Sequence, residues 1–192
     1  MLFTKLELNL PHWIITELAN ANSRFETIDK RMLFVINLAH LNVIKGTGGP
    51  FGAAIFNYSS GELISAGVNQ VLNSNCSIAH AEMLAISLAQ KKFNTFDLGS
   101  DCVPKCELVT STAPCAMCLG AIPWSGVKRV VCGARDEDAR RIGFDEGAKV
   151  TNWIEELQKR GIEVATDICR DQAKAVLDLY HDRGGLVYNS NH

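Results

Sequence analysis

The chain has 192 residues, of which 47% are hydrophobic and 21% are charged, and its formal net charge at pH 7 is -2. This composition is typical of an ordered globular domain, and a chain of this length can bury a continuous core, so intrinsic disorder is not expected. The slight negative charge argues against a protein built to bind nucleic-acid phosphates and makes a small-molecule ligand the default expectation.

Two helices are predicted in the first 45 residues. A short helix at residues 12–21 is entered through Pro11. A longer helix at residues 28–45 carries an apolar stripe with helical spacing, made of Met32, Ile36, Ala39 and Val43. The glycine-rich run at residues 46–50 then ends the helix and turns the chain.

Strands and helices alternate through the rest of the chain. Two apolar runs at residues 53–56 and 63–68 flank a turn and predict a β-hairpin. The later predicted elements are a helix at 79–90, a strand at 107–110, a helix at 115–124, a strand at 127–133, a helix at 152–160, a strand at 162–166 and a last helix with Ala173, Val176, Leu177 and Tyr180 on its apolar face. This alternation indicates an α/β sheet with helices on both faces, where ligand sites form beyond the carboxyl ends of the strands.

The main chemical motif is His80-Ala81-Glu82, followed 35 positions after the histidine by Cys115 and then by Cys118 in the run Thr-Ala-Pro-Cys-Ala-Met-Cys. One imidazole and two thiolates can occupy three corners of a zinc tetrahedron. The fourth corner then stays open for water, which is typical of a catalytic zinc site. The motif therefore predicts an enzyme with one zinc ion per chain.

The spacing also predicts how these residues are held. Cys115 and Cys118 are three residues apart and fall on one face of a helix, and Pro114 suits the start of that helix, where the helix dipole favours thiolates. His80 opens another helical stretch, so two helix N-termini should converge on one metal. Glu82 lies about 200° around the helix from His80, which leaves it free for proton transfer instead of metal binding.

The cysteine count favours a reducing compartment. Seven is an odd number, and two cysteines are already assigned to zinc, so a secreted disulfide framework is not expected. The other five are most simply free thiols, although Cys102 and Cys106 are spaced so that they could bind a metal. The N-terminal residues match neither a signal peptide nor a membrane span, which predicts a cytoplasmic protein.

Together, the H-x-E and P-C-x-x-C motifs match the signature of zinc-dependent nucleobase deaminases. Beyond that signature, the chain resembles the guanine deaminase branch of the cytidine deaminase-like superfamily, including its guanosine-deaminating relatives. The resemblance spans residues 29–147 and is carried by Gly48–Ala53, Asn69, Ala79–Glu82, Pro114–Ile122 and Gly143–Glu146. It implies a three-layer α/β/α cytidine deaminase-like fold with a mixed five-stranded sheet, assembled as a homodimer. The chain is then one domain, residues 1–192, in which residues 1–25 precede the shared core and residues 184–192 follow it as a tail.

The resemblance also implies roles for three further residues. Asn69 would bind a purine edge through its amide donor and acceptor, and Phe51 would stack on the base. Glu146 would be a second carboxylate that binds the ring N–H groups or the amine and shuttles protons; the equivalent acid in the family is often aspartate. The structural alternatives are a turn residue for Asn69, loop packing for Phe51 and a solvated surface acid for Glu146.

Two expectations concern the edges of the domain. Some guanine deaminases of this type close their active site with a C-terminal segment from the partner subunit, and Tyr188 or His192 could serve in this way, with a frayed tail as the alternative. Leu119, Ile122 and Trp124 lie on the short helix after Cys118 and could pack against a second copy of the chain, or simply face the sheet.

The predicted reaction is hydrolytic deamination of guanine to xanthine and ammonia. Guanosine, cytosine, aminotriazines and tRNA adenosine are alternative substrates, and the negative charge disfavours the tRNA. A zinc-stabilised binding module is the non-enzymatic alternative. It would need a fourth ligand, and no fourth cysteine or histidine lies at a motif spacing.

Overall fold

The structure, a computed structural model, describes residues 4–21 and 23–189. The helices are α1 (His12–Asn20), α2 (Ile28–Ile44), α3 (Val71–Ser74), α4 (Ala81–Phe93), α5 (Ala116–Ser125), α6 (Asp136–Arg141), α7 (Trp153–Gln158) and α8 (Arg170–Asp182). The strands are β1 (Gly52–Asn57), β2 (Leu63–Val68), β3 (Cys106–Thr112), β4 (Arg129–Ala134) and β5 (Glu163–Ala165). Within the described residues, no helix combines the length and the hydropathy needed to cross a membrane.

The five strands form one mixed sheet in the order β2-β1-β3-β4-β5. β1 pairs antiparallel with both β2 and β3, whereas β3, β4 and β5 run parallel to one another. The predicted hairpin is the β1–β2 pair, and the mixed five-stranded sheet implied by the resemblance is confirmed.

Helices cover both faces of the sheet. α2 and α8 pack on one face through buried residues such as Met32 and Leu177, and the predicted stripe of α2 lies in this core. α4, α5 and α7 pack on the other face through residues such as Ala85, Ile122 and Leu157. The three-layer α/β/α prediction is therefore confirmed.

Two helices, α3 and α6, were not predicted. α6 begins in the charged run Asp136-Glu137-Asp138, which reads as solvated from sequence alone. In the structure Asp138 is buried: it accepts a hydrogen bond from the backbone N–H of Arg135 at 2.9 Å and pairs with Arg170 at 2.9 Å. This pairing spans 32 residues, so the local sequence does not reveal it.

Candidate active site

The three predicted zinc ligands lie together. His80 Nδ1 is 3.5 Å from Cys115 Sγ and 3.6 Å from Cys118 Sγ, and the three ligand atoms are all within 4.8 Å of one another. Ideal Zn–N and Zn–S bonds in a tetrahedral site separate nitrogen and sulfur by about 3.6 Å. The group can therefore hold zinc, and it is the only such group of histidine, cysteine and acidic side chains in the part of the chain that the structure describes.

Two helix N-termini meet at this group, as the spacing predicts. His80 is the N-cap residue of α4, and Cys115 is the N-cap residue of α5, so each helix begins one residue after its metal ligand. Cys118 lies in the first turn of α5 and is fully buried. Because β3 ends at Thr112, the short link to α5 delivers both cysteines to the carboxyl end of a central strand.

The two thiols have pKa values shifted in opposite directions. A hydrogen bond from Cys118 and the contact with His80, opposed by burial, together lower the pKa of Cys115 to about 4. The same hydrogen bond, with burial, raises the pKa of Cys118. The lowered pKa of Cys115 favours the thiolate, which is the form of cysteine that zinc needs.

Glu82 lies in the first turn of α4 with 6% of its surface exposed. Burial raises its pKa, the negative charge of Cys115 raises it further, and His80 opposes the rise. The carboxyl group stands beside the metal ligands without belonging to their group. A buried carboxyl with a raised pKa is suited to proton transfer near neutral pH.

Glu146 is also buried, with 6% of its surface exposed, whereas its neighbour Asp145 is exposed. Burial raises the pKa of Glu146 to about 8, and the negative charges of Cys115 and Glu82 contribute to the rise. The backbone carbonyl of Glu146 accepts a hydrogen bond from Ala116 N–H at 2.9 Å, which attaches this loop to the start of α5. The carboxyl group is therefore not in the solvated position that the structural alternative required.

A cavity of about 210 Å³ opens onto these groups. Five of the seven predicted site residues line it, namely Phe51, His80, Glu82, Cys115 and Glu146. Phe51 stands edge-on to Phe144, with ring centroids 5.0 Å apart and an interplanar angle of 72°. The lining of the cavity thus combines an apolar part, Phe51 and Phe144, with two acids and two of the metal ligands.

Asn69 is fully buried next to this cavity. Its backbone N–H donates to Phe51 O at 3.0 Å and its Oδ1 accepts from Val71 N–H at 3.2 Å, and both partners line the cavity. Its Nδ2 is buried without a hydrogen-bond partner among the described residues. Asn69 itself does not line the cavity, and its role as a purine-binding residue stays a prediction.

The C-terminal tail covers the cavity of its own chain. Tyr188 packs edge-on against Phe144 at 5.0 Å, and Asn189 accepts from Asp145 N–H at 3.0 Å and donates to Gly143 O at 2.9 Å. The Tyr188 hydroxyl is buried and has no hydrogen-bond partner within the described residues. The tail is therefore packed up to residue 189, while His192 lies outside the described residues.

Some residues that line the cavity were not predicted from the sequence. Thr112 is one of them, and its hydroxyl is buried without a partner among residues 4–21 and 23–189. Thr112 could have been identified by its position at the carboxyl end of β3, because ligand sites form at that end of the strands. Phe144 belongs to the quoted Gly-Phe-Asp-Glu motif but was given no role, and Asn189 carried no signal.

Comparisons with known proteins agree with this geometry. Residues 26–134 match the family model for the cytidine and deoxycytidylate deaminase zinc-binding region. The guanine deaminase of Bacillus subtilis (strain 168) is 44% identical over 121 residues, which cover 63% of this chain and 71% of that protein. A solved structure of guanine deaminase from Nitrosomonas europaea is 45% identical with a TM-score of 0.89 and covers 95% of this chain and 99% of that chain. A structure in complex with 2,6-diaminopurine is 47% identical with a TM-score of 0.90, covering 96% and 97% of the two chains.

Proposed function

We propose that this chain, which belongs to the cytidine and deoxycytidylate deaminase family of zinc-binding proteins, is a guanine deaminase that hydrolyses guanine to xanthine and ammonia. The observation that carries the proposal is the cavity in which a three-ligand zinc group meets two buried carboxyl groups, Glu82 and Glu146. Relatives that match nearly the whole chain are named guanine deaminase or hold a purine analogue, which supports a small purine as the ligand.

His80, Cys115 and Cys118 would hold the zinc. When bound, zinc supplies a Lewis acid that makes water nucleophilic near neutral pH. Three protein ligands leave one coordination position open, as catalytic zinc sites require.

Glu82 carries the proton. It takes a proton from the attacking water and delivers it to the ring nitrogen next to the carbon that bears the amine. The water oxygen bonds to that carbon, and its second proton passes to the amine. The C–N bond to the amine then breaks, the oxygen becomes the new carbonyl group, and the nitrogen leaves as ammonia with its own two hydrogens and that second proton. Burial of Glu82 supports this role, because its raised pKa lets it hold the proton between the two steps.

Glu146, Asn69 and Phe51 select the substrate. Glu146 accepts from the N–H groups or amine of guanine, Asn69 donates through its free Nδ2, and Phe51 stacks on the base. Adenine lacks the N1–H and the C2 amine of guanine, so the carboxylate oxygens of Glu146 would be left without donors. Each buried acceptor left unpaired costs about 1–3 kcal/mol. The cavity of about 210 Å³ is smaller than the range of about 300–1,000 Å³ usual for drug-sized ligands, which favours the free base over the nucleoside.

Two further proposals concern the whole protein. The chain forms a homodimer, for which the exposed side chain of Trp124 on α5 is the supporting observation. Of the three residues considered for this contact, Ile122 is fully buried in the core and does not contribute. The cytoplasmic location stays a prediction from the N-terminal residues and the cysteine count.

The test is ammonia release from the zinc-loaded protein given guanine, guanosine, adenine, cytosine, cytidine and an aminotriazine at equal concentration. We expect guanine to be deaminated fastest, with zinc-loaded Glu82→Gln protein as the inactive control. Faster release from adenine or cytidine would contradict the proposal. Release from guanosine but not guanine would keep the site chemistry and assign the nucleoside as the substrate.

A further inference from the structure

Asn42 on α2 is a fully buried polar residue outside the cavity. Its Nδ2 donates to the carbonyl oxygens of Gly49 and Asn69, both at 2.9 Å. Its Oδ1 accepts from the Thr47 hydroxyl at 2.8 Å. Both amide hydrogens and the amide oxygen are thus used, so the orientation of this carboxamide is fixed.

The two carbonyl groups that Asn42 binds belong to the segments that carry the proposed purine contacts. Gly49 is two residues before Phe51, and the Asn69 backbone N–H donates to Phe51 O at 3.0 Å. The segments are tightly packed, because a Cβ at Gly48 would overlap the Asn69 carbonyl oxygen and lie 2.7 Å from Asn42 Nδ2. The Asn42 carboxamide therefore links the two segments where they pack most closely.

The hydrogen bonds continue outward to the N-terminal helix. Trp13 on α1 donates its Nε1–H to the Thr47 hydroxyl at 2.9 Å, and Gln70 Nε2 donates to the Thr47 carbonyl oxygen at 2.9 Å and to the Asn69 carbonyl oxygen at 2.8 Å. The Thr47 hydroxyl accepts a hydrogen bond from Trp13 and donates its own hydrogen to Asn42 Oδ1. One chain of bonds thus runs from α1 through Thr47 and Asn42 to Asn69.

We infer that Asn42 is a positioning residue for purine binding: its carboxamide sets the spacing of Phe51 and Asn69, and α1 supports it through Thr47. The inference rests on the proposed function of the cavity. With the Asn69 backbone held and its Oδ1 engaged by Val71 N–H, the free Nδ2 has one orientation from which to reach a ligand. A misplaced donor weakens binding of the substrate in the ground state and in the transition state alike, so the loss should appear in KM.

The first test is Asn42→Asp, which keeps the shape but places an acceptor oxygen against two carbonyl oxygens. We expect the KM for guanine to rise at least about tenfold, while kcat changes by less than about threefold, because a loss of binding shared by ground state and transition state appears in KM. Zinc stoichiometry should not change. A normal KM in the folded variant would overturn the inference.

The second test asks whether Asn42 acts through Asn69. Asn42→Ala is measured alone and in an Asn69→Ala background, since residues that act through one contact are not additive. We expect Asn42→Ala to change kcat/KM by a smaller factor in the Asn69→Ala background than in the wild type, and the loss that persists is the part that acts through Phe51. A loss of equal size in both backgrounds would contradict the inference.

Milder variants keep the test decisive if Asn42 substitutions impair folding. Thr47→Val removes the donor to Asn42 Oδ1, and Trp13→Phe removes the outermost N–H while keeping an aromatic ring. Both should raise KM, with the smaller effect for Trp13→Phe. The control is Leu177→Val in the core beneath α8, which lowers thermal stability without touching these bonds and should leave KM unchanged.

Binding of 2,6-diaminopurine to the zinc-loaded proteins, measured by calorimetry, gives a second readout that needs no turnover. If the wild type neither binds it nor deaminates any purine, both the proposed function and the inference fail. If the wild type deaminates guanine and binds the analogue but Asn42→Asp does both equally well, only the inference fails.

Discussion

Glu82 and Cys115 are both close to the metal position, yet replacing each of them is expected to impair the protein in a different way. Cys115 belongs to the group whose ligand atoms lie within 4.8 Å of one another, whereas Glu82 does not. A lost zinc ligand removes the cofactor, while a lost proton carrier removes the chemistry and leaves the cofactor bound. The two replacements therefore separate metal binding from proton transfer.

Glu82→Gln should keep one zinc per chain and lose turnover by about 10²-fold to 10⁴-fold, the usual contribution of a general acid or base. The amide has nearly the same shape but cannot carry the proton. Metal analysis and ammonia release on the same preparation check both parts. In the matched variant Cys115→Ala, zinc itself should be lost; near-normal turnover of metal-replete Glu82→Gln would rule out the proton-transfer role.

The zinc-binding group could be predicted because its ligands stand in short motifs at two helix starts, whereas the role of Glu82 in proton transfer stays a prediction. Asn42 could not, because its partners Gly49 and Asn69 are 7 and 27 residues away and meet only in the folded chain. Glu107 is similar: it was predicted only as part of a strand, yet it is fully buried and paired with Arg31 and Arg129. Buried polar residues of this kind depend on tertiary contacts that no local pattern reveals.

The segment between α6 and α7 presents Glu146 to the cavity and is attached to both flanking helices through one lysine. Three residues after Glu146, the buried side chain of Lys149 pairs with Asp136 of α6 at 2.8 Å. The same ammonium group lies 4.3 Å from the ring centroid of Trp153, the first residue of α7. One cation thus connects the elements on both sides of the segment.

Lys149→Met should lower the free energy of unfolding by about 1–3 kcal/mol, because it removes the cation and leaves Asp136 partly buried without its partner. The value stays below that of a fully buried pair because the Asp136 side chain is 28% exposed. Denaturant unfolding of Lys149→Met, Asp136→Asn and the double variant measures the effect. Since the two residues act as a pair, the double variant should lose less than the sum of the single variants; strict additivity would show that they are not coupled.

Most helices and strands were predictable from the sequence, whereas the short helices α3 and α6 were not. Apolar spacing identified α2 and α8 because each buries one continuous face in the core. The charged α6 has only a short buried part, and it is stabilised by the pairing of Asp138 with Arg170. An isolated charged segment of this length would not form a stable helix, so its existence depends on α8.

The surface of the folded chain carries one apolar area next to the active-site helix α5. Trp124 is 86% exposed and Val150 is 52% exposed, and both line a depression together with Leu119 and Pro123. Large exposed apolar areas on folded proteins often mark interaction sites. α5 carries Cys118 and follows Cys115, so a partner on this face would stabilise the helix that positions two zinc ligands.

The proposed homodimer predicts a species of about 42 kDa, twice the chain mass of 21.0 kDa, in sedimentation at micromolar concentration. Closed symmetric dimers are the commonest homo-oligomers, and exposed tryptophans are frequent anchors of such contacts. Trp124→Ser should shift the population towards the monomer. Phe96→Ser is the matched control, because Phe96 is 84% exposed but does not line this depression, and it should leave the dimer intact. A wild-type protein that sediments at 21.0 kDa would refute the dimer, and a Trp124→Ser protein that stays dimeric would place the contact on another face.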